Sequence, residues 1–357
     1  MSPAGLALLF ASAFLGAAGA AEPSSTRIGA VDYVSVDDGA DRLGLRLVPV
    51  GQSALILKEG ARPVARLADR SREMDLKGLR VFLGDPVIAR GGVFYVSRTD
   101  LDSHLVPRLR PELCGPPPRQ PRVIAIDPGH GGTDHGAENR ALGSMEKTYT
   151  LDVALRLRKL LEGAGYTVVL TRDADYDLSK TIRSETANRA NADLFVSVHF
   201  NSLYPNTKTT GVEVLSFPSR SQRSADSWSP GGKDNAESKD APINGFDAWN
   251  MVLAGALHRR ILDALHDGDR GEKFEHLGVL RELKCPGVLV EPAFISSDAE
   301  AAKLAKPETR DAIAGALLAG IEDYAQVIRA LHPAAAPAPA AEGGPAARAQ
   351  PTRPAGP

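Results

Sequence analysis

Apolar runs of strand length alternate with helical patterns along residues 121–328. Glycine, proline and polar turn residues bound five of these runs, as is typical of buried strands: 123–126, 167–171, 194–199, 211–217 and 287–291. A period near 3.6 predicts a helix over about 147–164, and a proline in the first turn opens a last helix over 307–325. This alternation predicts an α/β domain whose sheet is covered by helices on both faces.

Residues 22–112 follow a different pattern. Their apolar runs are shorter and are separated by glycines and prolines, which predicts short strands and turns. The triplet YVS at 33–35 recurs at 95–97, and an aspartate follows each copy at the same offset. Each copy has the pattern of a strand end, a serine helix cap and a short helix. We therefore expect a small N-terminal α+β module over 22–112.

Three further segments flank these two parts. Residues 1–20 are apolar and end in Ala-Gly-Ala, the pattern of a secretory signal peptide, and the run is too short to span a bilayer. Residues 113–120 contain consecutive prolines and predict a stiff linker. Residues 329–357 are rich in alanine and proline and are expected to be disordered. We expect an exported chain with no transmembrane segment in its mature form.

Charge and cysteine usage narrow the class of protein. The 357 residues carry 42 Lys and Arg against 44 Asp and Glu, a net charge of −2. Nucleic-acid-binding proteins usually present a basic face, so we expect no nucleic-acid partner. The two cysteines, Cys114 and Cys285, do not have the spacing of a zinc cluster. A disulfide between them and two free thiols both remain open.

Two histidines are expected at the carboxyl ends of core strands, where open α/β sheets bind ligands. His130 follows the first strand in the glycine-rich turn DPGHGG (127–132), and His199 ends the third strand. Glu146 lies at the start of the first long helix, where a carboxylate can also serve as a cap. Two histidines and a carboxylate are a donor set for a catalytic zinc that keeps one position for water.

A fourth candidate, Glu291, ends the strand over 287–291. Apolar neighbours would desolvate its carboxyl group and raise its pKa toward the range useful for proton transfer. The alternative is an exposed glutamate at a strand end with no catalytic role.

Six motifs follow one another through the main domain: DPGHGG (127–132), EK (146–147), TRD (171–173), ANRANAD (187–193), SVHFNS (197–202) and LVEPAFIS (289–296). This ordered set resembles the zinc-dependent N-acetylmuramoyl-L-alanine amidases of the type-3 amidase family. The resemblance implies a mixed, mostly parallel sheet of about six strands and one Zn²⁺ per catalytic domain, held by His130, Glu146 and His199.

The reaction implied by the resemblance is hydrolysis of the amide between the lactyl group of N-acetylmuramic acid and L-alanine in peptidoglycan, with Glu291 as general base and then general acid. Periplasm is the expected location, otherwise the extracellular space or cell wall, and the module over 22–112 is expected to bind the wall or another partner. Two other functions stay open. One is a zinc peptidase that cuts wall stem peptides, and the other is a non-catalytic peptidoglycan-binding protein.

Several further polar residues match positions of the family. Substrate contact and structural support are both open for four of them: Arg172, Arg183, Asn188 and Asn201. His135 is the alternative to Glu146 as a zinc ligand. We prefer Glu146 because the family match includes it and because an open catalytic site needs three protein ligands. His258 is expected on a helix surface, and His276 in the cleft.

Residues 218–248 form a polar stretch that is long for a loop inside a compact domain. In some relatives an insertion at this place covers the zinc until an activator displaces it. We expect the same role for 218–248, with an activator protein as the partner.

Overall fold

The structure is a computed structural model that describes residues 22–220, 222, 224–225 and 244–332. The predicted signal peptide, most of the segment 218–248 and most of the predicted tail lie outside the described residues. Within the described residues, the helices are all too short or too polar to cross a membrane.

Seventeen strands and a smaller set of helices make up the described chain. The strands are β1 Ser25–Ile28, β2 Val31–Ser35, β3 Arg46–Val50, β4 Ala54–Glu59, β5 Arg62–Ala68, β6 Glu73–Leu76, β7 Leu79–Phe82, β8 Ile88–Arg90, β9 Val93–Ser97, β10 Val123–Pro128, β11 Glu138–Asn139, β12 Ser144–Met145, β13 Thr167–Leu170, β14 Leu194–Val198, β15 Val212–Ser216, β16 Asp269–Phe274 and β17 Gly287–Glu291. The α-helices are α1 Val36–Leu43, α2 Arg98–Asp100, α3 Val106–Leu109, α4 Glu146–Gly163, α5 Lys180–Arg189, α6 Asp247–Leu265, α7 Gly278–Arg281, α8 Asp298–Leu304 and α9 Pro307–Leu331.

The five predicted core strands and both long predicted helices are present within a few residues of their expected bounds. β10, β14 and β17 are parallel neighbours, and β13 lies parallel to β10 on the other side. β15 runs antiparallel to β17, and β16 runs parallel to β15. The carboxyl ends of β10, β14 and β17 therefore meet at one edge of the sheet, which is where the candidate chemistry was expected.

The expectation of about six strands, mostly parallel, is wrong for the sheet as a whole. The sheet has 11 strands in the order β13-β10-β14-β17-β15-β16-β7-β6-β5-β4-β3. β7 pairs with β16, so an antiparallel N-terminal meander continues the sheet, and five of its ten neighbouring pairs are antiparallel. β16 also has too many charged residues to be read as a buried strand. The edge of β16 offers free backbone N–H and C=O groups, and β7 pairs with that edge.

Helices cover both faces of the core strands, as predicted. Successive residues of a strand point to opposite faces. Ile124 and Val196 therefore pack with α4, α6 and α9 on one face, and Ala125 and Phe195 pack with residues of α5 and α7 on the other. α9 ends at Leu331, so it includes the first three residues of the predicted tail.

The repeated triplet forms the predicted strand, cap and helix twice. β2 and β9 are antiparallel neighbours in a separate four-stranded sheet. Ser35 Oγ accepts a hydrogen bond from the Asp38 N–H at 3.0 Å, and Ser97 Oγ accepts one from the Asp100 N–H at 3.0 Å. These bonds satisfy backbone donors that a helix N-terminus leaves unpaired. Outside the repeat, both cysteines are free thiols in the structure.

Candidate metal centre and cleft

Three predicted ligands converge at the carboxyl edge of the sheet. His130 follows β10, Glu146 begins α4, and His199 follows β14. One donor atom from each residue lies within 4.8 Å of the other two. Glu146 Oε1 is 3.1 Å from His130 Nε2 and 2.9 Å from His199 Nδ1. The structure therefore brings together all three side chains that the sequence selected.

The backbone around His130 is unusual for a non-glycine residue. His130 has φ +61°, the left-handed region in which a side chain costs free energy. Asp134 accepts a hydrogen bond from His130 Nδ1 at 2.8 Å, and two backbone bonds between Gly131 and Asp134 close the turn. Because Nδ1 is occupied in this way, Nε2 faces Glu146. Asp134 was not among the residues predicted from the sequence, although it lies four residues from His130.

Two glycines are required by close approach to the donor groups. A Cβ atom at Gly129 would lie 2.4 Å from the His199 ring. A Cβ atom at Gly136 would lie 2.6 Å from Glu146 Oε2 and from the His130 ring. Any side chain at either position would displace a donor.

Glu146 is buried, yet its carboxylate is held in the ionised form. Its side chain accepts backbone hydrogen bonds from Ala137 at 2.8 Å and from Phe200 at 3.0 Å. Burial by itself would raise its pKa, but the hydrogen bonds and charges of His130 and His199 hold the pKa of Glu146 well below its usual range. The structure thus keeps an anionic oxygen between two imidazoles.

Arg172 and Arg183 support the His130 turn. Arg172 is fully buried and donates to the carbonyls of Pro128 at 3.0 Å and Gly129 at 2.8 Å. Arg183 donates to the Asp127 carboxylate at 2.8 Å and to the His130 carbonyl at 2.7 Å. These bonds satisfy backbone carbonyls that the glycine turn leaves outside regular structure.

The two asparagines have different surroundings. Asn188 donates to the Glu282 carbonyl at 2.7 Å and accepts from the Lys284 N–H at 2.9 Å, so it attaches α5 to the loop before β17. Asn201 lies in the cleft and donates to Glu213 Oε2 at 2.9 Å. Of the four residues left open between substrate contact and support, Arg183 and Asn201 line the cleft.

A cleft of about 530 Å³ opens beside the three donors and is lined by His130, His199 and Glu291. Burial raises the pKa of Glu291 well above its ordinary value, and the negative charges of Glu146, Glu213 and Glu275 raise it further. Oε2 of Glu291 is buried and has no hydrogen-bond partner among the described residues. His199 and Glu291 end neighbouring parallel strands, since the His199 N–H donates to the Val290 carbonyl at 3.0 Å.

The remaining histidines do not join the donor group. His135 contacts Glu138 at 3.0 Å, and His276 packs on the Phe217 ring away from the cleft lining. The expected helix-surface position of His258 is wrong, because its side chain is fully buried beside Asp269 and Glu272. β16 supplies those carboxylates, and it was not among the predicted strands.

The fold and the site define a class: an α/β protein with two histidines and one glutamate gathered at the carboxyl ends of parallel strands, beside an open cleft. The chain belongs to the Amidase_3 family, N-acetylmuramoyl-L-alanine amidase, whose model matches residues 124–323.

Individual relatives cover the same half of the chain. An uncharacterized cell wall amidase of Bacillus anthracis is 33% identical over 210 residues, which are 57% of this chain and 35% of the relative. The sporulation-specific N-acetylmuramoyl-L-alanine amidase of Bacillus subtilis is 34% identical over 183 residues, 51% of this chain and 59% of the relative. The chain thus spans about one third to three fifths of the length of these relatives. A solved N-acetylmuramoyl-L-alanine amidase from Clostridium difficile 630 has a TM-score of 0.48 and 26% identity, with 58% of this chain and 98% of that chain covered.

Proposed function

We propose that this protein is a zinc-dependent N-acetylmuramoyl-L-alanine amidase that hydrolyses the amide between the lactyl group of N-acetylmuramic acid and L-alanine in peptidoglycan. The observation that carries the proposal is that His130 and His199, which both contact the Glu146 carboxylate, line one cleft with Glu291, whose Oε2 has no hydrogen-bond partner among the described residues. Family membership supports the choice of substrate.

The three donors fit zinc. Zinc in catalytic sites takes three protein ligands from histidine and carboxylate and keeps a fourth position open. Here two imidazoles and an ionised carboxylate lie within 4.8 Å of one another, and both imidazoles line an open cleft. The Asp134 contact to His130 Nδ1 is the outer-shell hydrogen bond that orients a ligating histidine.

In the proposed reaction a bound zinc and Glu291 would have different roles. A bound zinc would polarise the amide carbonyl and lower the pKa of water. Glu291 Oε2 would accept the proton of the attacking water and deliver it to the leaving nitrogen, which ends as the free amine of L-alanine. A carboxyl group whose pKa is raised by burial holds that proton more readily than an exposed carboxyl group does.

Location and partners follow from the same proposal. Peptidoglycan lies outside the cytoplasm, so we propose export, by means of a signal peptide over 1–20, to the periplasm. Among the described residues, no helix is long and apolar enough to cross a membrane. A covering role for 218–248 and an activator that displaces it stay predictions, because most of that segment lies outside the described residues.

Product analysis of digested peptidoglycan tests the proposed function. The zinc-loaded protein should release stem peptides with a new L-alanine amino terminus and leave free lactyl groups, both identified by mass spectrometry. Glu291→Gln should lower the rate about 10²- to 10⁴-fold, which is the usual contribution of a general acid–base group, and should keep its zinc. Glu185→Gln is the matched control, since Glu185 is exposed on α5.

Other products would identify the other candidate functions. Cleavage within the stem peptide would show a zinc peptidase instead. Binding to peptidoglycan without any product would show a non-catalytic wall-binding protein and would refute the amidase assignment.

A further inference from the structure

We propose that Arg270 is a specificity-determining residue of the cleft and binds a carboxylate of the substrate's stem peptide. The proposal rests on the proposed amidase function and names what the same cleft recognises beyond the scissile amide. Arg270 was not among the residues that the sequence selected.

A β-bulge aims Arg270 into the cleft. In the register of β15 with β16, Val212 pairs with Asp269 and Glu213 pairs with Gly271, so Arg270 is the extra residue between two pairs. A bulge re-aims a side chain and is common beside active sites. Arg270 accordingly lines the cleft that also contains Glu291.

The backbone opposite Arg270 leaves space for its side chain. Gly211 has φ +121°, and a Cβ atom there would lie 2.8 Å from Arg270 Cγ and 2.5 Å from the Gly268 carbonyl oxygen. A side chain at Gly211 would therefore displace the arginine or the backbone. Arg270 can adopt its position because Gly211 has no Cβ atom.

The guanidinium group is held on one side and open on the other. Arg270 Nε donates to Glu213 Oε1 at 3.0 Å, and Arg270 Cζ lies 5.0 Å from the centroid of the Phe294 ring. Its side chain is 36% exposed. Nη1 and Nη2 make no hydrogen bond to any described residue. Two parallel N–H donors of this kind match the geometry of a carboxylate.

Glu213 contacts two cations that line the cleft. Its buried carboxylate accepts from Arg270 and from Lys273, whose Nζ lies 3.2 Å away, and it also accepts from Asn201. Glu213 lies opposite Glu291 in the β15–β17 register, so this group adjoins the strand that carries the proposed proton-transfer residue. Beyond the scissile amide the stem peptide carries carboxylates, whose negative charge is opposite to the positive charge of Arg270.

Paired substrates test this proposal. The experiment compares kcat/KM for two soluble muramoyl pentapeptides. The second stem residue has a free α-carboxylate in one of them and an amidated α-carboxylate in the other. The wild-type protein should prefer the free acid about 10- to 100-fold in kcat/KM, the range expected for one hydrogen bond to a charged group. Arg270→Gln should remove most of that preference, and Arg270→Lys, which keeps the charge without the fork, should retain part of it. Arg329→Gln changes an exposed arginine on α9 and should keep the full preference.

Each alternative outcome is decisive. Equal rates of the wild type on both substrates would overturn the proposal, as would an equal loss on both substrates in Arg270→Gln, which would mean a structural role. If neither substrate is hydrolysed, the amidase function itself fails. Calorimetric titration of zinc-loaded Glu291→Gln protein with the two peptides would then decide whether Arg270 prefers a carboxylate.

Discussion

Two of the groups that histidines and carboxylates form among the described residues differ in access, since one is open to solvent and the other is closed. The open place is the cleft triad, which we define as His130, Glu146 and His199. Its two histidine side chains are 21% and 19% exposed, and they flank a nearly buried carboxylate. Among the described residues the cleft triad is the group of such donors that could hold a metal ion.

The closed place is the junction cluster, which we define as Arg108, His258, Asp269 and Glu272. The side chains of His258 and Glu272 are fully buried. His258 lies 3.1 Å from Asp269 and 3.6 Å from Glu272, and Glu272 forms a close ion pair with Arg108 of the N-terminal region. The cluster lies where β16 pairs with β7.

The two groups differ in the residue that neutralises the buried carboxylate, which is Glu272 at the junction and Glu146 in the cleft triad. At the junction an arginine fills that role, and a Cβ atom at Gly255 would lie 2.0 Å from its guanidinium carbon, so α6 closes over it. In the cleft the charge of Glu146 is met by two imidazoles with open space beside them. The same residue types therefore form an accessible donor group where one side is open, and they attach two parts of the chain to each other where an arginine closes that side.

The largest effect should come from the cleft triad. Glu146→Gln keeps the volume of the side chain but replaces the anionic ligand by a neutral amide. We expect zinc affinity to fall by more than the roughly 10- to 100-fold loss typical of outer-shell changes, and wall hydrolysis to fall with it. Metal content after dialysis and the rate of peptidoglycan digestion measure both. Thermal unfolding of the metal-free protein is the control, and a Glu146→Gln protein that retains one zinc would contradict the ligand assignment.

A change at the junction cluster should act on stability instead. Glu272→Ala leaves Arg108 buried without its partner, which typically costs about 3–5 kcal/mol. Chemical unfolding should show this loss, while the folded variant still binds zinc. The double variant Arg108→Met/Glu272→Leu replaces the pair by apolar side chains and should be more stable than Glu272→Ala. A double variant that is no more stable than Glu272→Ala would contradict this explanation, because the loss would then not come from a buried arginine without its partner.

Much of the cleft triad was predictable from local patterns. Apolar strands followed by polar turns place His130 and His199 at one edge of a parallel sheet, and the start of α4 places Glu146 nearby. These signals are short-range, because each donor lies directly beside the element that positions it. The family resemblance then selected Glu146 over His135, and the structure brings Glu146 to the other two donors.

The rest depends on contacts between distant parts of the chain. β16 is a charged strand, and it is buried because Arg108 and His258 meet its carboxylates from other elements. Periodicity does not reveal such pairs, since each charge alone indicates an exposed position. One signal was available: Glu213 is a lone carboxylate within the apolar run 211–217. A single charge in a buried strand needs a partner, and that requirement points toward Arg270.

The smallest predicted effect is a pH dependence that belongs to the junction cluster. Burial favours the neutral ring of His258, but its contacts with Asp269 and Glu272 outweigh burial and raise the pKa of His258 above its ordinary value. Arg108 pairs with Glu272 as well, and His104 lies nearby with a pKa lowered to about 4, mainly by burial. The carboxylates of the cluster thus favour the charged form of His258, whereas burial favours the neutral form of the neighbouring His104.

A histidine with a raised folded-state pKa stabilises the protein fully below its unfolded pKa, about 6.5, and loses that contribution as pH rises through the folded value. The difference in unfolding free energy between the wild type and His258→Gln should therefore shrink from pH 6 upward, by at most about 1.4 kcal/mol per pH unit. Comparing the two proteins at each pH cancels the titration of His104, which acts in the opposite direction at acid pH. Urea unfolding at a series of pH values measures the difference. A difference that stays constant or grows with pH would mean that His258 is neutral in the folded protein, and the junction cluster would then depend on Arg108 alone for its positive charge.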